Sequence, residues 1–567
     1  MKKDLPYIFF ITLITLFWFI IVFSDFQVVE QSDWDMVFGY HQSQRDIILK
    51  YHQFPLWNPY LCGGEPWLAH PVSDFLSPFF IFILFFGTIK GTIIAYFPQT
   101  LIGLLGMYFL SRHYGLSRNI SLLSTIISLN IFNKITYIGI FIFLSFCFLP
   151  WIYLLFNKAK NEKKYMLYSI MLLAVIILTG YIYIFIMTLI FLFIDTIFYI
   201  AKYKKIKFIL IFLGITIFAL LLSAPKILPM LELLKQLPRI TVFEAPKVLL
   251  NLDKFPFLII EAKELLLPKE SFYFLNRFIN PDILQNIFYF IMTSIFIITF
   301  IMLWKKYKEL LIIGLIFLLI SLFNNSPFNL WSLLHFLLPS MGGPGKFAAV
   351  FIMTFSLSLG LVIKECQIKA PQSKTLKSIV TILVFLFTTS VFLYANMIFK
   401  TRDVMVYRLD NQQKKFSHKN VDPRNIFETI YIGRGVLSPH AINFFDAIGG
   451  QIPKKVLAKE EKGYRGEYYL LNGYGEVEQV MFSPNKMIFK LKLKDNDTLV
   501  INQNYFPGWR SSAGKITSYN GLISITLNQK ISDLIIYYLP NSLISGIILF
   551  VLSLFTIGYG LKKGWFV

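Results

Sequence analysis

"MKKDLPYIFFITLITLFWFIIVFSDFQVVEQSDWD", residues 1–35, runs from a basic start through the apolar stretch 6–23 into a polar segment that carries Asp33 and Asp35. An apolar run of this length matches the hydrocarbon core of a bilayer. No small-residue cleavage site follows it, so it reads as a retained first membrane helix and not as a removable leader. What lies beyond it decides the architecture.

The rest of the 567-residue chain repeats the pattern. Hydrophobic residues make up 56% of it and Phe alone occurs 60 times, a composition that excludes a water-soluble globule. The net charge of +22 does not point to nucleic acid, because Lys and Arg sit in short clusters between apolar runs, where they orient a membrane protein. Those clusters are "MKK", "SRHYGLSR" (111–118), "NKAKNEKK" (157–164), "AKYKKIK" (201–207), "WKKYK" (304–308), "KECQIKAPQSKTLK" (364–377) and "LKK" (561–563). All seven face the cytoplasm if the chain crosses at 6–23, 92–111, 118–134, 139–156, 166–180, 182–200, 207–224, 283–303, 309–323, 346–363, 378–398 and 541–560. The shorter apolar piece "FLSPFFIFILFFG" (75–87) contains Pro78 and would reverse that parity, so it fits an interfacial or re-entrant helix.

This predicts a mainly α fold, a polytopic helix bundle of about twelve crossings with both termini cytoplasmic. The membrane module spans 1–398 with external loops 24–91 and 225–282, an extracytoplasmic β-rich domain spans 399–540, and a last helix with a short tail spans 541–567. The β-rich expectation rests on "NKMIFKLKLKDNDTLVINQNYFPGWRSSAGKITSYNGLISITLNQKISDLIIYYLP" (485–540), which alternates apolar and polar residues between Gly, Asn and Pro breaks. Cys62, Cys147 and Cys366 are too dispersed for a disulfide framework or a zinc site.

Reactive groups gather in the first external loop. Asp33 and Asp35 flank Trp34 just past the first helix, where a carboxylate acts either as a general base on a hydroxyl or as the acidic start of a following helix. "FPLWNPYLCGGEPW" (54–67) is a stiff aromatic loop, and Trp57, Asn58 and Glu65 suit a sugar ring as well as they suit an interfacial belt. His41, His52 and His70 lack zinc spacing, and hydrogen bonding to an anionic lipid is the simpler use of them. Arg239 and Lys346 lie on outer loops, placed either to hold a phosphate or to snorkel into headgroups. "GGPGK" is not a nucleotide P-loop, because Phe347 replaces the Ser/Thr and the leading glycine spacing fails.

The order of the first helix, the acidic pair, "FPLWNPYLCGGEPWLAHPVSDFLSP" (54–78) and "LIGLLGMYFLSRHYGLSRNISLLSTIISL" (101–129) resembles bacterial YfhO-like membrane proteins of the GT-C glycosyltransferase superfamily. "LTGYIY" (178–183), "LLSAPKILPMLELLKQLPR" (221–239), "SPFNLWSLLHFLLPSMGGPGKF" (326–347) and "NYFPGWRSS" (504–512) extend the likeness over the whole chain. The resemblance implies inverting sugar transfer on the outer face, from a polyprenyl-phosphate-linked donor to a glycan, lipid or cell-wall polymer acceptor, with Asp35 or Asp33 as base. Many such enzymes carry a second acid after the third helix. "NIFNKITY" (130–137) has none, so no metal site and no cofactor are expected, with a divalent ion left as the lesser alternative. Where relatives often carry arginine this chain has Lys346, which would supply the positive charge with Arg239. His41, Trp57, Asn58, Glu65 and His70 are the remaining substrate-binding candidates, and Tyr505 and Trp509 either touch an acceptor or form a buried turn. Two other functions keep the same architecture: a transporter of a lipid or lipid-linked glycan, and a non-catalytic assembly protein.

Overall fold

The computed structural model describes residues 2–23, 34–60, 63–138, 146–180, 182–236, 281–322, 326–337, 344–369, 456–457 and 462–565. Asp33, Arg239 and the expected crossing at 378–398 lie outside these residues, and Asp35 is described by its backbone alone.

The fold is mainly helical, with β-sheet toward the C-terminus. Its helices are α1 (Leu5–Val22), α2 (Trp34–Leu49), α3 (Phe80–Phe86), α4 (Thr88–His113), α5 (Arg118–Ile138), α6 (Leu149–Ala159), α7 (Lys164–Leu178), α8 (Ile182–Tyr203), α9 (Lys207–Leu222), α10 (Ala224–Gln236), α11 (Pro281–Ser321), α12 (Leu330–Leu337), α13 (Ala348–Lys369) and α14 (Asn541–Lys562). Among the described residues five helical segments are long and apolar enough to cross a membrane, or six if α9 and α10, bent 83° apart, form one broken crossing. The expected stretches 283–303 and 309–323 form the continuous run α11, whose backbone leaves helical geometry at Tyr307, inside the basic cluster "WKKYK".

Burial sorts these segments. Of the most apolar window in Pro344–Ile368, 89% is buried, against 17% for Lys2–Ile21 and 28% for α14. So α13 is the axis of the bundle, while α1 and α14 turn Phe9, Phe10, Phe17, Ile548 and Phe555 outward, as lipid-facing helices do. Small residues permit the closest crossings: a Cβ on Gly360 of α13 would stand 2.4 Å from Ser124 Oγ of α5, and one on Gly546 of α14 would stand 2.6 Å from the Ala224 carbonyl of α10.

Helix α2 is of another kind. Its residues Val37, Tyr40, His41, Gln44 and Ile47 recur at helical spacing and are buried, while its opposite side carries polar and charged groups. Arg45 Nε donates to the Ile83 carbonyl at 3.1 Å near the end of the short α3, which stops at Gly87 in the left-handed region (φ 81°). The piece 75–87 is thus a turn followed by a seven-residue helix against α4, too short to cross.

A two-stranded ribbon, β1 (Trp57–Asn58) and β2 (Glu65–Pro66), follows α2. The strands beyond it are β3 (Tyr468–Leu470), β4 (Gly475–Ser483), β5 (Lys486–Leu493), β6 (Asp497–Asn504), β7 (Trp509–Ser511), β8 (Thr517–Tyr519), β9 (Leu522–Leu527) and β10 (Asp533–Tyr538). They form two antiparallel sheets, in orders β4-β5-β10-β7 and β3-β6-β9-β8, around one apolar core. Alternation sets the faces: Met487, Phe489 and Leu491 of β5 point inward, and Lys490 and Lys492 point outward opposite Glu478 and Glu476 of the edge strand β4. The expected β-rich domain is therefore a small sandwich, described from Tyr468 onward; 399–455 lie outside the described residues.

The ribbon clasps the sandwich to the membrane module. Trp57 is fully buried in the sandwich core, with ring centroids 5.1 Å from Trp509 and 5.0 Å from Tyr538. Its indole N–H donates to Gln503 Oε1 at 3.0 Å and its main-chain N–H to Asn485 Oδ1 at 2.9 Å. The Asn504 N–H reaches the Gly63 carbonyl at 2.8 Å. Gly64 is required here: its φ is +107° and a Cβ would lie 2.6 Å from the Trp57 ring.

Candidate functional site

Several motifs separated in sequence meet beside α2. His41 Nε2 bonds Asp74 Oδ2 at 2.8 Å, and His41 Nδ1 lies 2.7 Å from Thr92 Oγ1 at the start of α4. Gln44 Nε2 donates to the other Asp74 oxygen at 3.0 Å, and its carbonyl accepts the Phe75 N–H at 2.9 Å. Both carboxylate oxygens of Asp74 are therefore held, which fixes the 73–75 backbone against α2. The spacing of His41 and Gln44, three residues apart on one helical face, is what lets both reach the same carboxylate.

Two further motifs close on this backbone. Gly180, from "LTGYIY", adopts φ +83°, and a Cβ on it would stand 2.9 Å from the Ser73 carbonyl. Lys226, from "LLSAPK", is 2% exposed at the start of α10, and its Nζ donates to the Ser73 carbonyl and, at 3.2 Å, to Ser73 Oγ. Among the described residues no carboxylate pairs with Lys226 at ion-pair distance. A buried ammonium hydrogen-bonded to neutral oxygens, with only the field of the nearby Asp74 to offset its burial, is costly, and it is a strong attractor for any anion that can reach it. Near by in sequence to Gly180, the ring of Tyr183 on α8 carries Lys346 Nζ 5.0 Å above it. Lys346 itself sits in the 3-10 turn Pro344–Phe347, anchored by the buried Phe347 against Phe317 and Trp331.

The first-loop candidates have other occupations. Trp57, Asn58, Glu65, His70 and His41 are each no more than 2% exposed. Trp57 is the clasp described above, Asn58 bridges Ser43 Oγ (3.1 Å) and the Tyr60 N–H (3.0 Å), and His70 stacks on Trp67 with centroids 4.8 Å apart and Nε2 4.0 Å from Glu65 Oε1. The expected sugar platform is thus corrected to an internal brace, because both faces of its aromatics are covered by protein. Trp509 is likewise core, facing Trp57, and Tyr505 is half-buried with its N–H on the Gly521 carbonyl. Among the described residues no group of three or more His, Cys, Asp or Glu side chains gathers in metal-holding geometry.

Asp35 occupies the first turn of α2, six residues before His41, so the helix that orients His41 and Gln44 also carries the expected base. Sequence reasoning passed over Asp74, Gln44, Thr92 and Lys226. The legible sign for Lys226 was a lysine inside an otherwise apolar segment flanked by Pro225 and Pro229, a placement that membrane proteins rarely tolerate without a use. No protein-family model matches this chain, and none of the curated proteins does.

Proposed function

We propose that this chain is an integral membrane glycosyltransferase that moves a sugar, with inversion, from a polyprenyl-phosphate-linked donor to a glycan, lipid or polymer acceptor at the outer face. Asp35, or Asp33, takes the acceptor hydroxyl proton. Lys226, with Lys346 and Arg239, draws the prenyl phosphate as the glycosidic bond breaks and negative charge grows on it. In this reading the His41–Asp74 pair fixes α2, the helix that carries Asp35, to the 73–75 backbone that Lys226 of α10 also holds.

The observation that carries this reading is Lys226: a buried ammonium whose hydrogen bonds, among the described residues, go to Ser73 oxygens, on the same short backbone segment as the Asp74–His41 pair. Such a cation has more to gain from a phosphate than a solvated lysine does. The motif likeness of the whole chain to GT-C proteins supports the same chemistry. The test is transfer from a radiolabelled polyprenyl-phosphate sugar in purified membranes. Asp35→Asn or Asp33→Asn abolishes transfer, and full activity in both variants sinks the proposal.

One observation favours a second reading, movement of a lipid-linked glycan across the bilayer. Helices α9 and α10 are bent 83° apart, and broken helices mark the binding sites of many transporters. Proteoliposomes separate the two: a transporter moves the labelled lipid intact, whereas the enzyme leaves free polyprenyl phosphate behind.

A further inference from the structure

The outer face of the sheet β4-β5-β10-β7 carries a charged row at the end nearest the membrane. Tyr537 of β10 stands directly opposite Lys486 of β5 on one side and Arg510 of β7 on the other, so the three side chains share one face. That face is the solvent side, since the neighbours Ile536 and Tyr538 point into the core. The row is tied to a membrane helix: Arg510 Nη2 donates to Asn541 Oδ1 at 2.7 Å, and Asn541 is the first residue of α14. With 22 residues, α14 is about 33 Å long, enough to span the hydrocarbon, so its first residue sits at the bilayer surface. Tyr537 is four residues earlier, at most about 14 Å away along the chain. The row therefore lies at headgroup level.

Beside the row opens a cleft of about 480 Å³ between the sandwich and the loop after α2, lined by Phe54, Lys486, Ile535, Tyr537 and Leu539 together with Gln53 and Asn485. Its amides are already engaged. Gln53 bridges Ser483 Oγ (2.8 Å) and the Asn485 N–H (3.0 Å), and Asn485 bridges the Phe54 carbonyl (2.6 Å) and the Trp57 N–H (2.9 Å). What remains on offer is apolar and aromatic surface, with Phe54 50% and Ile535 36% exposed, beside Lys486 and with Arg510 one strand further on across Tyr537. A sugar would need the amides; a phosphodiester over acyl chain needs only what is left.

We infer that this cleft binds the headgroup of an anionic glycerophospholipid, with Lys486 and Arg510 on the phosphodiester and Phe54, Ile535 and Leu539 against the upper acyl carbons, so that the sandwich is seated on the bilayer by a lipid. On this face of the sheet Asp533 lies four residues along β10 and opposite Lys490, and at the membrane end the carboxylate of Glu232 of α10 is already engaged by Ser542 Oγ, beside Asn541.

The test uses the full chain in nanodiscs doped with phosphatidylglycerol or phosphatidylcholine bearing the same photoreactive acyl chain, with cross-linked peptides read by mass spectrometry. The expected result is labelling of the peptides containing Phe54 and Tyr537 at least fivefold stronger from phosphatidylglycerol, while α14 labels equally from both lipids. Lys486→Gln with Arg510→Gln brings the phosphatidylglycerol yield down to the phosphatidylcholine level, and Lys486→Arg with Arg510→Lys keeps the preference. Equal labelling by the two lipids, or labelling confined to α14, overturns the proposal. So does loss of labelling when polyprenyl phosphate is added at one-tenth of the phosphatidylglycerol, because the cleft would then belong to the sugar donor. The unchanged α14 signal reports that each variant is folded and embedded.

Discussion

Among the described residues of the helical module two lysines are buried, and they are buried differently. Lys160, at the end of α6, forms an ion pair with Asp195 of α8, donates to Asn157 Oδ1 at 2.8 Å and lies 4.3 Å above the Tyr199 ring. Tyr153 closes the other side of Asp195 at 3.2 Å, and its hydroxyl is 3.0 Å from that of Tyr114. Every charge there has its opposite. Among the described residues Lys226 donates to the carbonyl and hydroxyl of Ser73, and the nearby Asp74 already holds His41 and Gln44. A closed pair is architecture, whereas a cation left with neutral partners has capacity to spare. The same residue type thus reads as a rivet in one place and as a receptor in the other.

The sharpest way to break this contrast is to remove each ammonium while keeping its stem. Lys160→Met leaves Asp195 buried and unpaired, which costs about 3–5 kcal/mol of stability. Thermal melting of the detergent-solubilised chain should register a large drop, and adding Asp195→Leu should recover much of it, because an apolar pair replaces a broken ionic one. Lys226→Met breaks no carboxylate hydrogen bond among the described residues, and Asp74 keeps His41 and Gln44, so its melting temperature should fall much less than that of Lys160→Met. Its effect falls on chemistry instead. Removing a preorganised charge at a leaving group typically costs about 10²–10³ in rate, and transfer from the labelled polyprenyl-phosphate sugar should fall by that order. If Lys226→Met melts as badly as Lys160→Met and transfers sugar normally, the distinction between rivet and receptor is gone.

A smaller effect sharpens the boundary between brace and site. Gly64→Ala puts a methyl 2.6 Å from the Trp57 ring and a side chain at φ +107°, a combined strain of about 1–3 kcal/mol. Because Trp57 belongs to the clasp, the expected consequence is a loosened sandwich: limited proteolysis between residues 456 and 540 speeds up, while the affinity for a polyprenyl-phosphate donor is unmoved. A change in donor affinity with unchanged proteolysis would return Trp57 to the substrate site.

The fold was legible where one periodicity dominates. Hydropathy marked the apolar helices expected at 541–560, close to α14, and at 207–224, close to α9, because an apolar run of that length satisfies its backbone within the helix. Alternation in "KMIFKLKL" gave the strand and its inward face. The site was less legible because it is built from contacts of long sequence range. Asp74 and Gln44 are 30 residues apart and Ser73 and Lys226 are 153 apart, and no local pattern pairs them. Trp57 misled for a related reason. An aromatic face beside amides looks the same in sequence whether a sugar or another tryptophan will cover it, and only the arrival of Trp509 and Tyr538 from the far end of the chain decides.

Asp497 supplies the third arrangement of a buried charge, and the mildest test. Burial pushes its carboxyl up, but the N–H groups of Asn472, Tyr474, Thr498 and Gly473 outweigh that and hold it below the usual 3.8. It is neither paired with a cation nor left in need of one, since main-chain dipoles carry its charge. A carboxyl lowered on folding adds stability above about pH 4, and that contribution disappears as the pH falls through its folded value. Asp497→Asn should therefore speed amide exchange in peptides spanning 497–504 modestly at pH 7, and the gap to the unaltered chain should close as the pH is lowered toward 3. An exchange difference that persists undiminished at pH 3 would mean that Asp497 acts by shape and not by charge. Its loops would then belong with Gly64 among the packing devices, leaving Lys226 and Lys160 as the two buried charges that separate function from framework.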